Sequence, residues 1–164
     1  MKLAKPFLLV VAVLAIAGAL AYAMIDKPAA PASTFTTLEG KSISLDDLRG
    51  KIVLVNFWAT SCPGCVKEMP DLIETYHQYK DRGFEVVAVA MSYDPPNYVA
   101  NFAKTRQLPF PVALDVSGAH AHAFGDVQLT PTSFIIDKNG RILEQKLGEL
   151  DFAKLKALLD KELT

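Results

Sequence analysis

The chain has two cysteines, Cys62 and Cys65, separated by Pro-Gly. Two thiols at this spacing can close an intramolecular disulfide and reopen it by exchange with another disulfide. The thiolate is the nucleophile in that exchange, and a free thiol with a pKa of about 8.5 is mostly protonated at neutral pH. The pair therefore predicts a reactive dithiol if its surroundings expose one sulfur and favour its ionised form.

The segments on either side of the pair predict such surroundings. The apolar run Ile52–Trp58 is typical of a strand buried on both faces. A helical pattern follows over 63–81, and Pro63 suits a first helical position. Cys62 then lies at the helix N-terminus, where free N–H groups and the helix dipole favour a thiolate. We expect Cys62 to be the exposed nucleophile and Cys65 to be the buried resolving thiol.

Glu68 follows Cys65 by three residues, so helical spacing places the two side chains on one face. A carboxylate there can accept the proton that Cys65 must lose before it attacks. Spacing alone is equally compatible with an ordinary solvated glutamate. An inert disulfide also stays open for the cysteines, although so short a loop gives little stabilisation. Half of a metal site is a further alternative, but the chain has no second cysteine pair.

The remaining segments predict an α/β domain. A hairpin is expected over 35–45, and Asn-Gly at 139–140 predicts a second hairpin turn. Two strands joined through the helix at 63–81 should be parallel, with a right-handed crossover. The other expected elements are strands at 84–92, 110–114, 133–137 and 142–147, helices over 94–107 and 151–163, and a short helix or turn at 117–124.

The N-terminus is typical of an export or anchoring segment. Lys2 and Lys5 precede an uncharged apolar run over 6–25. Its length can just span a bilayer core of about 30 Å, which favours an uncleaved anchor. Ala-Tyr-Ala at 21–23 favours a cleaved signal peptide instead. Either outcome predicts an extracytoplasmic domain, where disulfides persist.

The expected organisation is a signal peptide or transmembrane anchor at 1–25, a Pro/Ala linker at 26–33 and one domain at 34–164. The net charge is −1 and the chain has no basic run, so we expect no nucleic-acid partner. The membrane is an expected partner through residues 6–25 if they are not removed.

Two longer motifs resemble the thioredoxin superfamily, and most of all its TlpA/ResA-type thiol–disulfide oxidoreductases. They are Asn-Phe-Trp-Ala-Thr-Ser-Cys-Pro-Gly-Cys-Val-Lys-Glu-Met-Pro at 56–70 and Leu-Thr-Pro-Thr-Ser-Phe-Ile-Ile-Asp-Lys-Asn-Gly at 129–140. The resemblance implies a three-layer α/β/α fold with a central mixed sheet, an N-terminal β-hairpin and a helix-strand insertion at 94–116. It implies a redox-active Cys62–Cys65 disulfide and an acidic role for Glu68 beside it.

The resemblance also implies that Pro131 is a cis-proline lying against the dithiol, with Thr130 offering backbone groups to an extended client. Asn56 stands where thioredoxin itself has a buried aspartate. An indole is only a hydrogen-bond donor, which favours packing over chemistry for Trp58. The candidate substrate-binding residues are Trp58, Pro63, Gly64, Thr130 and Pro131.

Relatives of this type are usually reductants of client proteins, kept reduced by a membrane thiol electron donor. Their clients include the haem-site cysteines of apocytochrome c and the copper-site cysteines of oxidases. No cofactor and no metal are expected. The Pro-Gly dipeptide at 63–64 departs from much of the subfamily and leaves the direction of the reaction open, so a disulfide oxidant or isomerase is an alternative.

A copper chaperone in the same fold is a second alternative. It needs a histidine near the cysteines, and the chain has His77, His120 and His122. The two-residue spacing of His120 and His122 points their side chains apart on a helix, which disfavours a metal pair.

Overall fold

The computed structural model describes residues 27–163 together with Gly18. A five-stranded sheet in the order β5-β4-β3-β6-β7 runs through the domain, and a separate hairpin pairs β1 with β2. The strands are β1 (Thr34–Thr36), β2 (Ser42–Ser44), β3 (Ile52–Trp58), β4 (Phe84–Ala90), β5 (Val112–Leu114), β6 (Thr132–Ile136) and β7 (Ile142–Leu147); the helices are α1 (Pro63–Tyr79), α2 (Pro96–Thr105), α3 (Ala119–Ala123) and α4 (Phe152–Glu162).

The central sheet is mixed, as predicted. Strands β3, β4 and β5 run parallel to one another, whereas β6 is antiparallel to both β3 and β7. The carboxyl ends of β3, β4 and β5 therefore meet the start of β6 and the end of β7 at one edge of the sheet. We call this edge, which carries Cys62, the dithiol edge.

Strand β3 is buried along its whole length because both of its faces are covered. Its even-numbered apolar residues, such as Leu54, pack with α1, α2 and α4. Its odd-numbered residues, such as Val55, pack with α3 and the β1–β2 hairpin. The alternation places the sheet between two apolar layers and confirms the predicted three-layer fold.

Helix α2 begins at Pro96, two residues later than the sequence pattern predicts. Pro95 is extended, with φ −59° and ψ 129°, because a residue that precedes proline is disfavoured in the helical region. The predicted helix at 63–81 is α1 followed by a single 3₁₀ turn, Lys80–Arg82. Gly83 ends that turn with φ 102°, a conformation that favours glycine.

Part of the expected linker at 26–33 lies against the sheet. The N–H of Ala30 donates to the Gly140 carbonyl at 2.9 Å, and the N–H of Ile142 donates to the Pro28 carbonyl at 2.8 Å. These bonds extend the β6–β7 hairpin at the edge of the sheet remote from Cys62.

The expected signal or anchor segment at 1–25 lies outside the described residues, apart from Gly18. Within residues 27–163, no helix combines the length and the apolar character that crossing a membrane requires.

Candidate active site

The dithiol lies where β3 passes into α1. Cys62 is the N-cap residue of α1, with φ −90° and ψ 110°, and it forms a disulfide with Cys65. Its Sγ accepts the N–H of Cys65 at 3.2 Å, so one of the free donors of the helix start points at this sulfur. Cys62 is partly exposed, whereas Cys65 is completely buried. The sulfur at the surface is therefore the one that the sequence predicts to attack.

The loop before β6 closes over the start of α1. The Thr130–Pro131 peptide bond is cis, which confirms what the resemblance implies for Pro131. A β-carbon placed on Gly64 would lie 3.5 Å from Pro131 Cδ and 3.4 Å from Glu149 Cγ. These are ordinary van der Waals distances, so Gly64 packs closely against the cis-proline loop and Glu149 while a β-carbon could still be accommodated. Thr130 Oγ1 lies 3.3 Å from the hydroxyl of Tyr93, which is exposed at the dithiol edge.

Glu68 lies inside the protein, one helical turn after Cys65, with 3% of its surface exposed. Its Oε1 accepts from Asn56 Nδ2 at 3.2 Å, and its Oε2 accepts the N–H of Leu150 at 3.0 Å. The same Asn56 amide donates to Ser133 Oγ at 2.9 Å. A buried polar chain thus crosses from α1 through β3 to β6, directly beneath the dithiol.

Burial raises the pKa of Glu68 above its ordinary value, because removal from water penalises the carboxylate. The hydrogen bonds from Leu150 and Asn56 act in the opposite direction and leave the pKa raised. Glu149, which forms an exposed ion pair with Lys67 at 2.7 Å, adds a smaller raising effect. A carboxyl group whose pKa is shifted toward neutral pH is a better proton acceptor for a thiol.

Asp94 holds the turn that leads into Cys62, a contact that the sequence did not indicate. Its carboxylate, 4% exposed, accepts both the N–H and the hydroxyl of Thr60, each at 2.6 Å. Thr60 lies within the turn closed by the bond from Cys62 N–H to the Ala59 carbonyl at 3.1 Å. The sequence predicts only the start of a helix at 94, because a contact with a partner 34 positions away leaves no local pattern.

Replacing Asp94 with alanine should destabilise the oxidised protein by roughly 1–3 kcal/mol, because both Thr60 donors lose a buried, charged acceptor. Urea unfolding checks this. Asp46→Ala, which removes an exposed ion pair with Arg49 on the remote side, is the matched control and should cost at most about 1 kcal/mol. Equal losses for the two variants would show that the Asp94 contact contributes no special stability.

Trp58 is completely buried and packs on Phe102, with ring centroids 5.1 Å apart. Its indole can reach a client only if the surrounding residues move. Pro63 is exposed beside the disulfide, and Gly64 is partly exposed. The predicted substrate-binding residues other than Trp58 thus lie together around Cys62, at the surface or directly beneath it.

His77 is exposed near the far end of α1, about four helical turns from Cys62. The other two histidines lie in α3. His120 packs against Phe35 with ring centroids 4.5 Å apart, and His122 is exposed, with its Nε2 3.7 Å from Asp126 Oδ1. Across residues 27–163, no cluster of three or more His, Cys, Asp or Glu side chains is arranged to hold a metal ion. Among the described residues, no histidine lies beside the dithiol to complete the site that the copper-chaperone alternative requires.

A sequence profile of the redoxin family matches residues 25–159. The chain is 42% identical over 132 residues to the thiol-disulfide oxidoreductase ResA of Bacillus thuringiensis subsp. konkukian, which covers 80% of this chain and 75% of that protein. It is 37% identical over 131 residues to ResA of Geobacillus thermodenitrificans, and the match covers 80% of this chain and 74% of that protein.

Solved structures show the same fold. A putative thioredoxin from Neisseria meningitidis superposes with a TM-score of 0.77 at 46% identity, covering 84% of this chain and 91% of that one. A thiol:disulfide interchange protein from Chlorobium tepidum superposes with a TM-score of 0.77 at 30% identity, covering 85% of this chain and 98% of that one.

The fold and the dithiol thus define a thioredoxin-superfamily thiol–disulfide oxidoreductase. Within that class, the chain belongs to the redoxin family and is a ResA-like protein.

Proposed function

We propose that the protein is an extracytoplasmic reductant of disulfides in client proteins. The observation that carries the proposal is the asymmetry of the dithiol. Cys62 is partly exposed beside the cis-proline loop, whereas Cys65 is buried, one helical turn from a carboxyl group with a raised pKa. Such an arrangement separates an attacking thiol from a resolving thiol and supplies the second with a proton acceptor.

In the first step, the thiolate of reduced Cys62 attacks one sulfur of the client disulfide. The client S–S bond breaks, a mixed disulfide forms, and the departing client sulfur takes up a proton. The free N–H of Cys65 at the helix start favours the negative charge on Cys62 before attack. Pro131 packs against Gly64, between the two cysteines, so the Thr130–Pro131 segment can align an extended client segment.

In the second step, Cys65 passes its proton to the Glu68 carboxylate and attacks the Cys62 sulfur. The mixed disulfide breaks and the second client sulfur leaves as a thiolate. The client gains two electrons, and the protein keeps the Cys62–Cys65 disulfide that the structure contains. Asn56 and the N–H of Leu150 hold the carboxylate in place for the transfer.

A further turnover requires two electrons from outside. We propose a membrane thiol electron donor that reduces the Cys62–Cys65 disulfide by the same exchange chemistry. The apolar segment at 6–25 supports a membrane-anchored or exported protein in a compartment where disulfides persist. Paired cysteines of apocytochrome c haem sites or of oxidase copper sites are the proposed clients.

The test offers the reduced protein two oxidised peptides of equal composition. One carries a disulfide within Cys-x-x-Cys-His, as at a haem attachment site, and the other carries its cysteines far apart. Stopped-flow Trp fluorescence and thiol quantification follow the exchange. Faster reduction of the first peptide supports the proposed client class. Equal rates would indicate a general disulfide reductant without preference for haem-site cysteines. Net oxidation of the reduced peptides by the oxidised protein would favour an oxidant or isomerase.

A further inference from the structure

The side-chain amide of Asn56 has one atom without a hydrogen-bond partner. Asn56 is completely buried in β3, and its Nδ2 donates to Glu68 Oε1 at 3.2 Å and to Ser133 Oγ at 2.9 Å. In the described part of the chain, no group donates to its Oδ1. Ser33 Oγ and Trp58 Nε1 are also buried without a partner, but they lie outside this polar chain. A buried acceptor without a donor is costly, and its presence beside the dithiol calls for an explanation.

The carboxylate of Glu68 faces a donor on each of its two oxygens. Its Oε1 accepts from Asn56, and its Oε2 accepts the N–H of Leu150 at 3.0 Å. This arrangement suits the ionised carboxylate, which only accepts hydrogen bonds. Once Glu68 takes up the proton of Cys65, it carries an O–H that must donate. Neither of the two groups that face the carboxyl can accept that bond as they now lie.

Of these two groups, only the Asn56 side chain can exchange a donor for an acceptor. The N–H of Leu150 belongs to the backbone and only donates, whereas an amide side chain carries an NH₂ group and a carbonyl oxygen. The two ends of the amide have nearly the same size, so a half-turn about the Cβ–Cγ bond fits the same space. The half-turn brings Oδ1 to the place of Nδ2 and offers it to the O–H of Glu68.

The hydroxyl of Ser133 can follow the same change. Ser133 is completely buried in β6 and lies directly opposite Asn56 in the antiparallel β3–β6 pair. Its hydroxyl accepts from Nδ2 in the present arrangement and can donate to Oδ1 after the half-turn, because a hydroxyl does both. Each of the two bonds made by Asn56 then keeps its partner and reverses its direction. The atom without a partner becomes Nδ2 instead of Oδ1.

We propose that Asn56 is a positioning residue whose side-chain amide makes this half-turn when Glu68 gains the proton of Cys65. The proposal rests on the proposed function, in which Glu68 accepts that proton. The proton moves from Cys65 Sγ to the Glu68 carboxylate, and the half-turn itself breaks no covalent bond. Asn56 thus gives a donor to the carboxylate and an acceptor to the carboxylic acid, and it stabilises Glu68 on both sides of the transfer.

The other groups around this carboxyl group define the control for a pH titration. Cys65 lies on the same helix and is held in the disulfide of the oxidised protein. From the loop before α4 come the N–H of Leu150 and the charge of Glu149, which pairs with Lys67 at 2.7 Å. Replacing Glu149 with glutamine removes a second carboxyl group whose own titration would act on Glu68. A titration of the Glu149→Gln variant therefore reports the protonation of Glu68 alone.

Nuclear magnetic resonance of the oxidised full chain in detergent micelles tests the half-turn without any client. With ¹⁵N-asparagine labelling the chain has four labelled residues, of which Asn56 is buried and Asn97, Asn101 and Asn139 are exposed. The carboxyl carbon of Glu68 is followed in parallel. At high pH we expect nuclear Overhauser contacts between the Asn56 amide protons and the β-protons of Ser133.

These contacts should disappear as Glu68 becomes protonated, both in the wild type and in the Glu149→Gln variant. The three exposed asparagine amides should not follow that titration. Contacts that persist when Glu68 is protonated would overturn the proposal, because Nδ2 would then still face Ser133. The measurement needs no variant of Asn56, so it decides the question even if that residue is essential for folding.

Asn56→Leu tests the consequence for the reaction. A rapid-mixing assay follows the attack of Cys65 on a preformed mixed disulfide at Cys62. The variant should slow this step by roughly tenfold or more, because the new O–H of Glu68 finds no acceptor. Asn101→Leu, the same change at an exposed position of α2, should keep the wild-type rate. A wild-type rate for Asn56→Leu would overturn the proposal, whereas a wild-type protein that reduces no disulfide would contradict the proposed function instead.

Discussion

Replacing Cys65 with serine should leave the protein covalently attached to its clients. Cys62 can still attack a client disulfide, but no second thiol is present to break the mixed disulfide that results. The variant should therefore accumulate adducts that disappear on reduction, whereas the wild-type protein passes through the same adduct too briefly for it to be seen. Non-reducing gels and mass spectrometry of the captured species measure this.

Cys62→Ser is the matched control, because it keeps one cysteine and the same helix start. Cys65 is completely buried, so we expect this variant to capture almost nothing and to lose turnover entirely. Equal capture by the two variants would contradict the assignment of Cys62 as the attacking thiol. Absence of adducts with Cys65→Ser, tested in cells that make the natural clients, would remove the main support for protein clients.

Replacing Glu68 with glutamine should slow the resolving step by about 10²-fold, because positioned proton transfer typically contributes 10²–10⁴-fold. The wild-type rate should rise with pH through the raised pKa of Glu68, and the variant should lack that rise. Rapid-mixing release of a fluorescent thiol from a preformed mixed disulfide measures the step. Glu74→Gln, an exposed position on the same helix, is the control and should leave the rate unchanged.

Glu68→Gln should also become more stable relative to the wild type as the pH rises toward neutral. Because the pKa of Glu68 is raised on folding, the folded protein binds this proton more tightly than the unfolded chain does. The stabilisation is complete below the ordinary carboxyl range and is lost as pH rises through the raised pKa. The free energy of unfolding of the wild type should therefore fall relative to Glu68→Gln between pH 4 and pH 8. A difference that does not change with pH would show that Glu68 titrates normally.

The local features of the site could be predicted from the sequence. The run at 52–58, apolar except for Asn56, is the full extent of β3, because a strand buried on both faces is apolar along nearly all of its length. Pro63 marks the first residue of α1, and the helical spacing places Cys65 and Glu68 on its inner face. Short-range geometry was sufficient for these residues.

The contacts that hold the site together could not be predicted in this way. Asn56 meets Ser133 at a separation of 77 positions, and Asp94 meets Thr60 at a separation of 34. Such pairs depend on strand order and register, which a local pattern does not contain. The cis bond at Pro131 was predicted only through the resemblance, because proline alone gives cis bonds in about 5–6% of cases.

The reduction potential of the Cys62–Cys65 couple decides most directly whether the protein is a reductant. Equilibration of the purified domain with glutathione or dithiothreitol buffers, read out by Trp fluorescence and thiol alkylation, gives the value. We expect it well below −180 mV and near the range of thioredoxin, about −270 mV. A value of about −180 mV or above would contradict the proposed role as a reductant and would assign the protein to the oxidants or isomerases.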